Sequence, residues 1–230
     1  MTLKKDNFVL SLGGSLIAPK EGIDAGFLRQ FRNLIARHVR RGRRFMIVCG
    51  GGSTARAYQR AASLAAGLSR RELDLIGIQA TIINANLMRG VFGRLALQKI
   101  ITDPRVPMSR STPVIIGAGW QPGCSTDYDA VLLAKKFGAR TVVNLSNIAY
   151  VYDKDPHRFA SAKPLKHISW KDYRRQFGGR WRPGLNSPFD PVASRSAAKM
   201  GMRVIIADGR DLANIDRLLG GKPFKGTVIG

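Results

Sequence analysis

Acidic residues are scarce in this chain: of 230 residues only 15 are Asp or Glu, against 38 Lys or Arg, 25 of them arginine. Cysteine is scarcer still. Cys49 and Cys124 lie far apart and form no CxxC pair, which argues against a disulfide scaffold or a structural zinc site. The three histidines, His38, His157 and His167, show no metal-ligand spacing and no partnered nucleophile, so they read as structural or solvent-facing. No apolar run approaches the roughly 18 residues of a membrane span. The run that follows Lys4, Lys5 and Asp6 stops at Gly13-Gly14, too short and too glycine-rich for a secretion signal. Internal repeats, low-complexity tracts and long polar linkers are all missing. These absences leave a soluble, cytoplasmic protein with reduced thiols, large enough for one ordinary core or two small lobes.

The charge that is present, +23, makes the surface attractive to nucleic acid, anionic membrane or phosphorylated metabolites, and says nothing of the fold. The basic residues run from end to end. One local cluster, Arg37, Arg40, Arg41, Arg43 and Arg44, reads as a solvated helix face and its exit. The aromatic residues do not alternate with the basic ones as a base-stacking platform requires, so no specific nucleic-acid partner is expected.

Short β-rich runs alternate with helical patterns. Phe8 to Leu12, Phe45 to Cys49, Pro113 to Ala118, Thr141 to Leu145, Arg203 to Ala207 and Thr227 to Ile229 predict strands, mostly apolar throughout as in a sheet covered on both faces. Phe27, Leu28, Phe31, Leu34, Ile35 and Val39 recur at helical spacing. Further helices are predicted from about Thr54 to Ala66, Glu72 to Leu97, Asp127 to Phe137, Asp190 to Met200 and Asp211 to Leu219. The alternation predicts an α/β fold with a largely parallel sheet.

Ligands of such sheets sit beyond the carboxyl ends of the strands. There the chain carries Gly13-Gly14-Ser15, Gly50-Gly51-Gly52-Ser53 and Gly117-Ala118-Gly119, with Gly123 close behind. Glycine loops entering helices let backbone N–H groups converge on an anion, and three at one end of a sheet suggest a polyphosphate track. They match neither the Walker pattern nor GxGxxG. Arg56, one turn into the next helix, is placed to grip a phosphate or to sit on the surface. Asp127 and Asp129, like Asp153 and Asp155, either organise Mg²⁺ and nucleotide or serve as caps and turns. Asp74, in apolar surroundings, is an ion-pair anchor or a holder of ribose hydroxyls. Trp120 is placed to stack on a base, whereas Trp170 and Trp181 read as packing residues.

In combination these stretches resemble the amino-acid-kinase superfamily, and within it the archaeal-type uridylate (UMP) kinases, over nearly the whole chain. The resemblance rests on Gly13-Gly14-Ser15, Gly50 to Tyr58, Asp74 to Asn84, Gln121 to Asp127, Asn147 with Tyr152 to Pro156, Asp190-Pro191 and Gly226 to Ile229. It implies a three-layer αβα sandwich with a mainly parallel central sheet in one two-lobed unit. Residues 1–140 would bind the phosphate acceptor and 141–230 would bind ATP. The implied reaction is transfer of the γ-phosphoryl group of ATP, with Mg²⁺, to UMP. Alternatives are another small-molecule kinase of the superfamily, or a nucleotide-binding relative with little turnover and nucleic-acid association through its basic surface. Homo-oligomers, commonly hexamers, are implied, and no membrane partner.

Carried over by position, Gly51 and Gly52 would lie beside the meeting phosphates with Arg56, and Asp74 would hold the ribose. Trp120, Gln121, Pro122, Gly123, Cys124, Ser125 and Thr126 would line the phosphate and base of UMP. Gly13, Gly14 and Ser15 would hold ATP phosphates, and Ser146, Asn147, Tyr152 and Asp155 the rest of ATP. Arg56, Asp127, Asp129 and Arg195 would carry the catalysis, with no protein metal site. Three positions depart from the superfamily pattern: Ser11 and Arg195 replace lysines, and Ala149 replaces an aspartate.

Overall fold

The computed structural model describes residues 7–109, 111–156, 158–178 and 187–230; the readings of Lys4, Lys5, Asp6, His157 and Trp181 fall outside them. In chain order the elements are β1 (Asn7–Leu12), α1 (Gly14–Ile17), α2 (Ala25–Arg40), β2 (Arg44–Cys49), α3 (Gly52–Ala66), α4 (Arg70–Phe92), β3 (Val114–Gly117) and α5 (Thr126–Phe137). There follow β4 (Thr141–Ser146), β5 (Val151–Tyr152), β6 (Pro164–Leu165), β7 (His167–Ile168), α6 (Trp170–Phe177), α7 (Pro191–Lys199), β8 (Arg203–Asp208), α8 (Leu212–Leu219) and β9 (Thr227–Ile229).

Seven strands form one sheet in the order β3-β2-β1-β4-β8-β9-β7. It is parallel apart from the β8–β9 pairing. Strand alternation divides the core into two layers. Leu10, Leu12, Ile47 and Leu145 face α1, α2, α4 and α8, while Val9, Val48, Val142 and Ile206 face α5, α6 and α7. Both faces are thus covered, which is why the strands read as unbroken apolar runs. The β1–β4 ladder, Val9 opposite Val142 through Leu12 opposite Leu145, carries the sheet across the expected division at residue 140.

The predicted elements stand within a few residues of their observed bounds. Ser69 and Glu72 form a capping box that starts α4. Gly93, with φ +54°, ends it before the expected Leu97. Helix α6, capped by Ser169, and the strands β5 to β7, of two residues each, were not legible, since two residues show no alternation and the α6 sequence WKDYRRQF is mostly polar.

Two expectations change. Among the described residues, the stretch Arg70–Leu95 is long and apolar enough to cross a membrane by length and composition. Gln79, Thr81, Asn84 and Asn86 interrupt the apolar run without adding charge, so the run length in the sequence hid it. In the fold Ala85, Met88 and Phe92 of this helix are buried in the core. The arginine cluster is also less idle than a solvated face. Arg43 donates to Nδ1 of fully buried His38, whose Nε2 then donates to Asp216 Oδ1 at 2.7 Å. Arg44 donates to the Thr112 carbonyl at 3.1 Å. Burial lowers the His38 pKa, so the neutral imidazole ties α2 to α8.

Candidate active site

From β1 the chain runs outward to β2 and β3, then returns to β4 on the other side of β1. The crevice beyond the carboxyl ends of β1 and β4 is therefore the switch point where doubly wound sheets bind ligands. The glycine loops meet there. Gly13 N–H donates to the Leu145 carbonyl at 2.8 Å and Gly50 N–H to the Leu12 carbonyl at 2.9 Å. A Cβ on Gly14 would lie 2.0 Å from the Gly52 nitrogen, and one on Gly52, which has φ +63°, would lie 2.2 Å from the Gly14 carbonyl oxygen. These glycines let two loops pass backbone against backbone, a reason for them that the phosphate reading did not contain. Gly13, Gly14 and Ser15 lie at this junction and outside the lining of the two cavities that flank it.

The first cavity, of about 200 Å³, lies on the β2–β3 side. Its floor is Gly51 and Gly52, and α3 adds Arg56 and Gln59. Asp74, Gly77, Ile78 and Thr81 enter from α4, a spacing of three, four and seven that puts them on one helical face. Only Asp74 of these was singled out from the sequence, although the spacing was available to find the others. The far wall is Trp120, Gln121, Cys124, Ser125 and Thr126, with Asp129 behind. Asp74 Oδ2 accepts the Gly123 N–H at 3.0 Å and Thr81 Oγ1 accepts the Gly119 N–H at 2.8 Å, so α4 fastens the loop that faces it. Pro122 lies in that loop beside Gly123 and does not line the cavity. Burial pushes the Cys124 thiol up to about 12, which leaves it un-ionised and a poor nucleophile.

The second cavity, of about 380 Å³, lies beyond β4 and is lined by Ser146, Asn147, Tyr152 and Asp155. Ile148, Tyr150, Lys154 and Phe177 join them. Tyr150 and Tyr152 meet edge to face at 6.5 Å, and Gln176 Nε2 donates to the carbonyls of Tyr152 and Asp153 at 2.9 and 2.8 Å. Asp153 accepts the Lys163 N–H at 2.7 Å and so ties together the two ends of the β5–β6 connection.

Three carboxylates stand close together at the junction, Asp129 and Asp190 buried and Asp127 half-buried. Asp127 Oδ1 accepts from Ser11 Oγ at 2.8 Å, Asp129 Oδ2 accepts the Trp120 N–H at 3.2 Å, and Asp190 Oδ1 caps α7 through the Ala193 N–H at 2.7 Å. Asp129 Oδ1 and Asp190 Oδ2 are buried with no hydrogen-bond partner among the described residues. Desolvation raises all three pKa values, Asp127 to about 6 and Asp129 to about 8, and neighbouring acids add to the rise at Asp127 and Asp129 but not at Asp190. Ser11, where the superfamily pattern has lysine, thus supplies a hydrogen bond and no charge. Arg195 lies exposed on α7 and acts on the trio only through its field at Asp190. Among the described residues no group of three or more His, Cys, Asp or Glu has the geometry of a metal cage. The trio therefore does not fit a cation held by protein ligands alone.

The family model of the amino acid kinase family matches residues 7–208. Similar proteins include the uridylate kinases of Thermoplasma acidophilum, 33% identical over 97% of this chain and 96% of that protein, and of Methanospirillum hungatei, 30% identical over 96% and 93%. Among solved structures, uridylate kinase from Archaeoglobus fulgidus superposes with a TM-score of 0.84 at 29% identity, covering 97% of this chain and 99% of that one. UMP kinase from Bacillus anthracis shares the fold, with a TM-score of 0.79 at 22% identity over 98% and 96%. With the parallel sheet, the glycine junction and a model that spans most of its length, the chain belongs to the amino acid kinase family.

Proposed function

We propose that this protein transfers the γ-phosphoryl group of ATP to UMP, giving UDP and ADP. The observation that carries the reading is the pair of cavities at one end of one sheet, separated by interlocked glycine loops at the topological switch point. Two phosphorylated ligands entering from opposite sides would meet over those loops. The acceptor half is residues 1–140 and the donor half 141–230, a division supported by strand order, since β3-β2-β1 and β4-β8-β9-β7 separate by sequence. The names of the archaeal relatives favour UMP as the acceptor.

An acceptor that is already a phosphate anion needs no strong base. The barrier lies in bringing two anions into line and neutralising charge on the transferred group. Backbone N–H groups of Gly51 and Gly52 and the Arg56 guanidinium supply fixed positive potential on the acceptor side, and Asp74 holds a ribose hydroxyl. Gly13, Gly14 and Ser15 receive the donor phosphates, and Ser146, Asn147, Tyr152 and Asp155 hold the rest of ATP. Asp127 and Asp129 orient neighbouring donors, and Arg195 contributes charge. Mg²⁺ enters on the triphosphate and neutralises part of its charge, with the protein supplying no cage. The setting is the cytoplasm, and the protein self-associates. In support, the exposed stripe of α4, Leu75, Gln79, Ile83, Asn86 and Gly90, is uncharged on a molecule of charge +23, and Tyr58 and Leu64 of α3 are also exposed.

The direct test is ADP release with UMP, CMP, AMP, glutamate, aspartate, carbamate and isopentenyl phosphate as acceptors. UMP should stimulate it most; no stimulation by UMP would overturn the assignment.

A further inference from the structure

Trp120 borders two hollows. It lines the first cavity with Asp74 and Thr126, and it also borders a shallow surface hollow made by Pro104, Arg105, Leu132 and Lys136. Over its ring stands the Arg105 guanidinium, 5.0 Å from the centroid, within cation–π range. That guanidinium is held: Arg105 Nε donates to Asp103 Oδ1 at 3.0 Å and Nη2 to Oδ2 at 2.7 Å. The segment itself is strapped to α5 by Lys136, whose Nζ donates to the carbonyls of Pro104 at 3.1 Å, Arg105 at 2.8 Å and Val106. The backbone N–H of Trp120 donates to Asp129 Oδ2 at 3.2 Å. The ring thus stands at the wall of an open cavity with its backbone anchored on one side and a strapped guanidinium over one face.

We propose that Trp120 is a stacking platform for the base of the acceptor, and that Arg105 is a positioning residue that holds the indole through the Asp103 and Lys136 strap. With the cation covering one ring face, the other is left for a planar, polar ring. The platform selects nucleotides over acceptors that have no base, such as carbamate, amino acids or isoprenoid phosphates. This rests on the reading of the first cavity as the acceptor site.

Indole fluorescence separates the two claims. The Trp120 signal is the difference between wild type and Trp120→Phe, titrated with UMP and with ribose 5-phosphate, which keeps the sugar and phosphate but lacks the base. UMP should quench it and ribose 5-phosphate should not. Trp120→Ala should raise the KM for UMP about tenfold, as loss of a base–aromatic stack does. Arg105→Ala should raise it about threefold with kcat within about twofold, and Arg105→Lys should fall between, since lysine keeps the charge and loses the fork on Asp103. Turnover of UMP with a silent Trp120 and an unchanged KM in Arg105→Ala overturns the platform and leaves the acceptor reading standing. A signal from another nucleotide, with no response to UMP, keeps the platform and overturns UMP. No response to any nucleotide overturns both.

Discussion

At the scale of single residues, the acids do unequal work. Asp24, Asp190 and Asp211 are helix caps, whereas half-buried Asp127 and buried Asp129 have pKa values pushed up to about 6 and about 8. An aspartate whose folded pKa is raised binds its proton more tightly when folded. Its stabilising effect is complete below the ordinary value of 3.8 and is lost as pH rises through about 6 for Asp127 and about 8 for Asp129. Asp129→Asn should therefore flatten the fall in stability between pH 5 and pH 8. It should raise the melting temperature at pH 8 by roughly 3 °C or more, and thermal melts at the two pH values check this. Asp74→Asn should raise the KM for UMP several-fold and that for ATP little, because Asp74 lines only the first cavity; equal effects in steady-state kinetics would remove it from the acceptor site. Both acids stood out in the sequence because acids are few. That Ser11 meets Asp127 was not legible, since 116 residues separate them and only the β1–α5 packing brings them together.

At the scale of elements, the interlocked loops are the most sensitive feature. Gly52→Ala should destabilise by about 2 kcal/mol or more, combining the strain of a positive φ, about 1 kcal/mol, with overpacking against the Gly14 backbone. Gly67→Ala is the control: φ is +53° there but no atom lies within 4 Å of the added Cβ, so only the strain of about 1 kcal/mol applies. Urea melts of the two variants should differ accordingly. The strands and long helices were readable because their apolar residues repeat with the period of the element. Helix α4 was readable in type but not in use. Its spacing of Asp74, Gly77, Ile78 and Thr81 shows a shared face, and only the tertiary packing shows that this face lines a cavity.

At the scale of the whole molecule, the charge of +23 is mostly surface. Among the described residues, ion pairs with carboxylates engage Arg37, Arg105, Arg175, Arg210 and the buried His38. The exposed stripe of α4 formed by Leu75, Gln79, Ile83, Asn86 and Gly90 carries no charge. Ile83→Arg, at a position 61% exposed, should leave the subunit folded and shift the sedimentation profile toward smaller species; an unchanged profile would overturn the proposed self-association through this face. The sequence by itself determined the alternation of strands and helices, the glycine loops at strand ends and the scarcity of acids, because these follow from local periodicity and composition. Only the tertiary structure decided that two glycine loops pack against each other, that three carboxylates share one buried junction, and that Arg105 covers Trp120. Those contacts join residues far apart in the chain, and their energies depend on distance and burial, which no local pattern encodes.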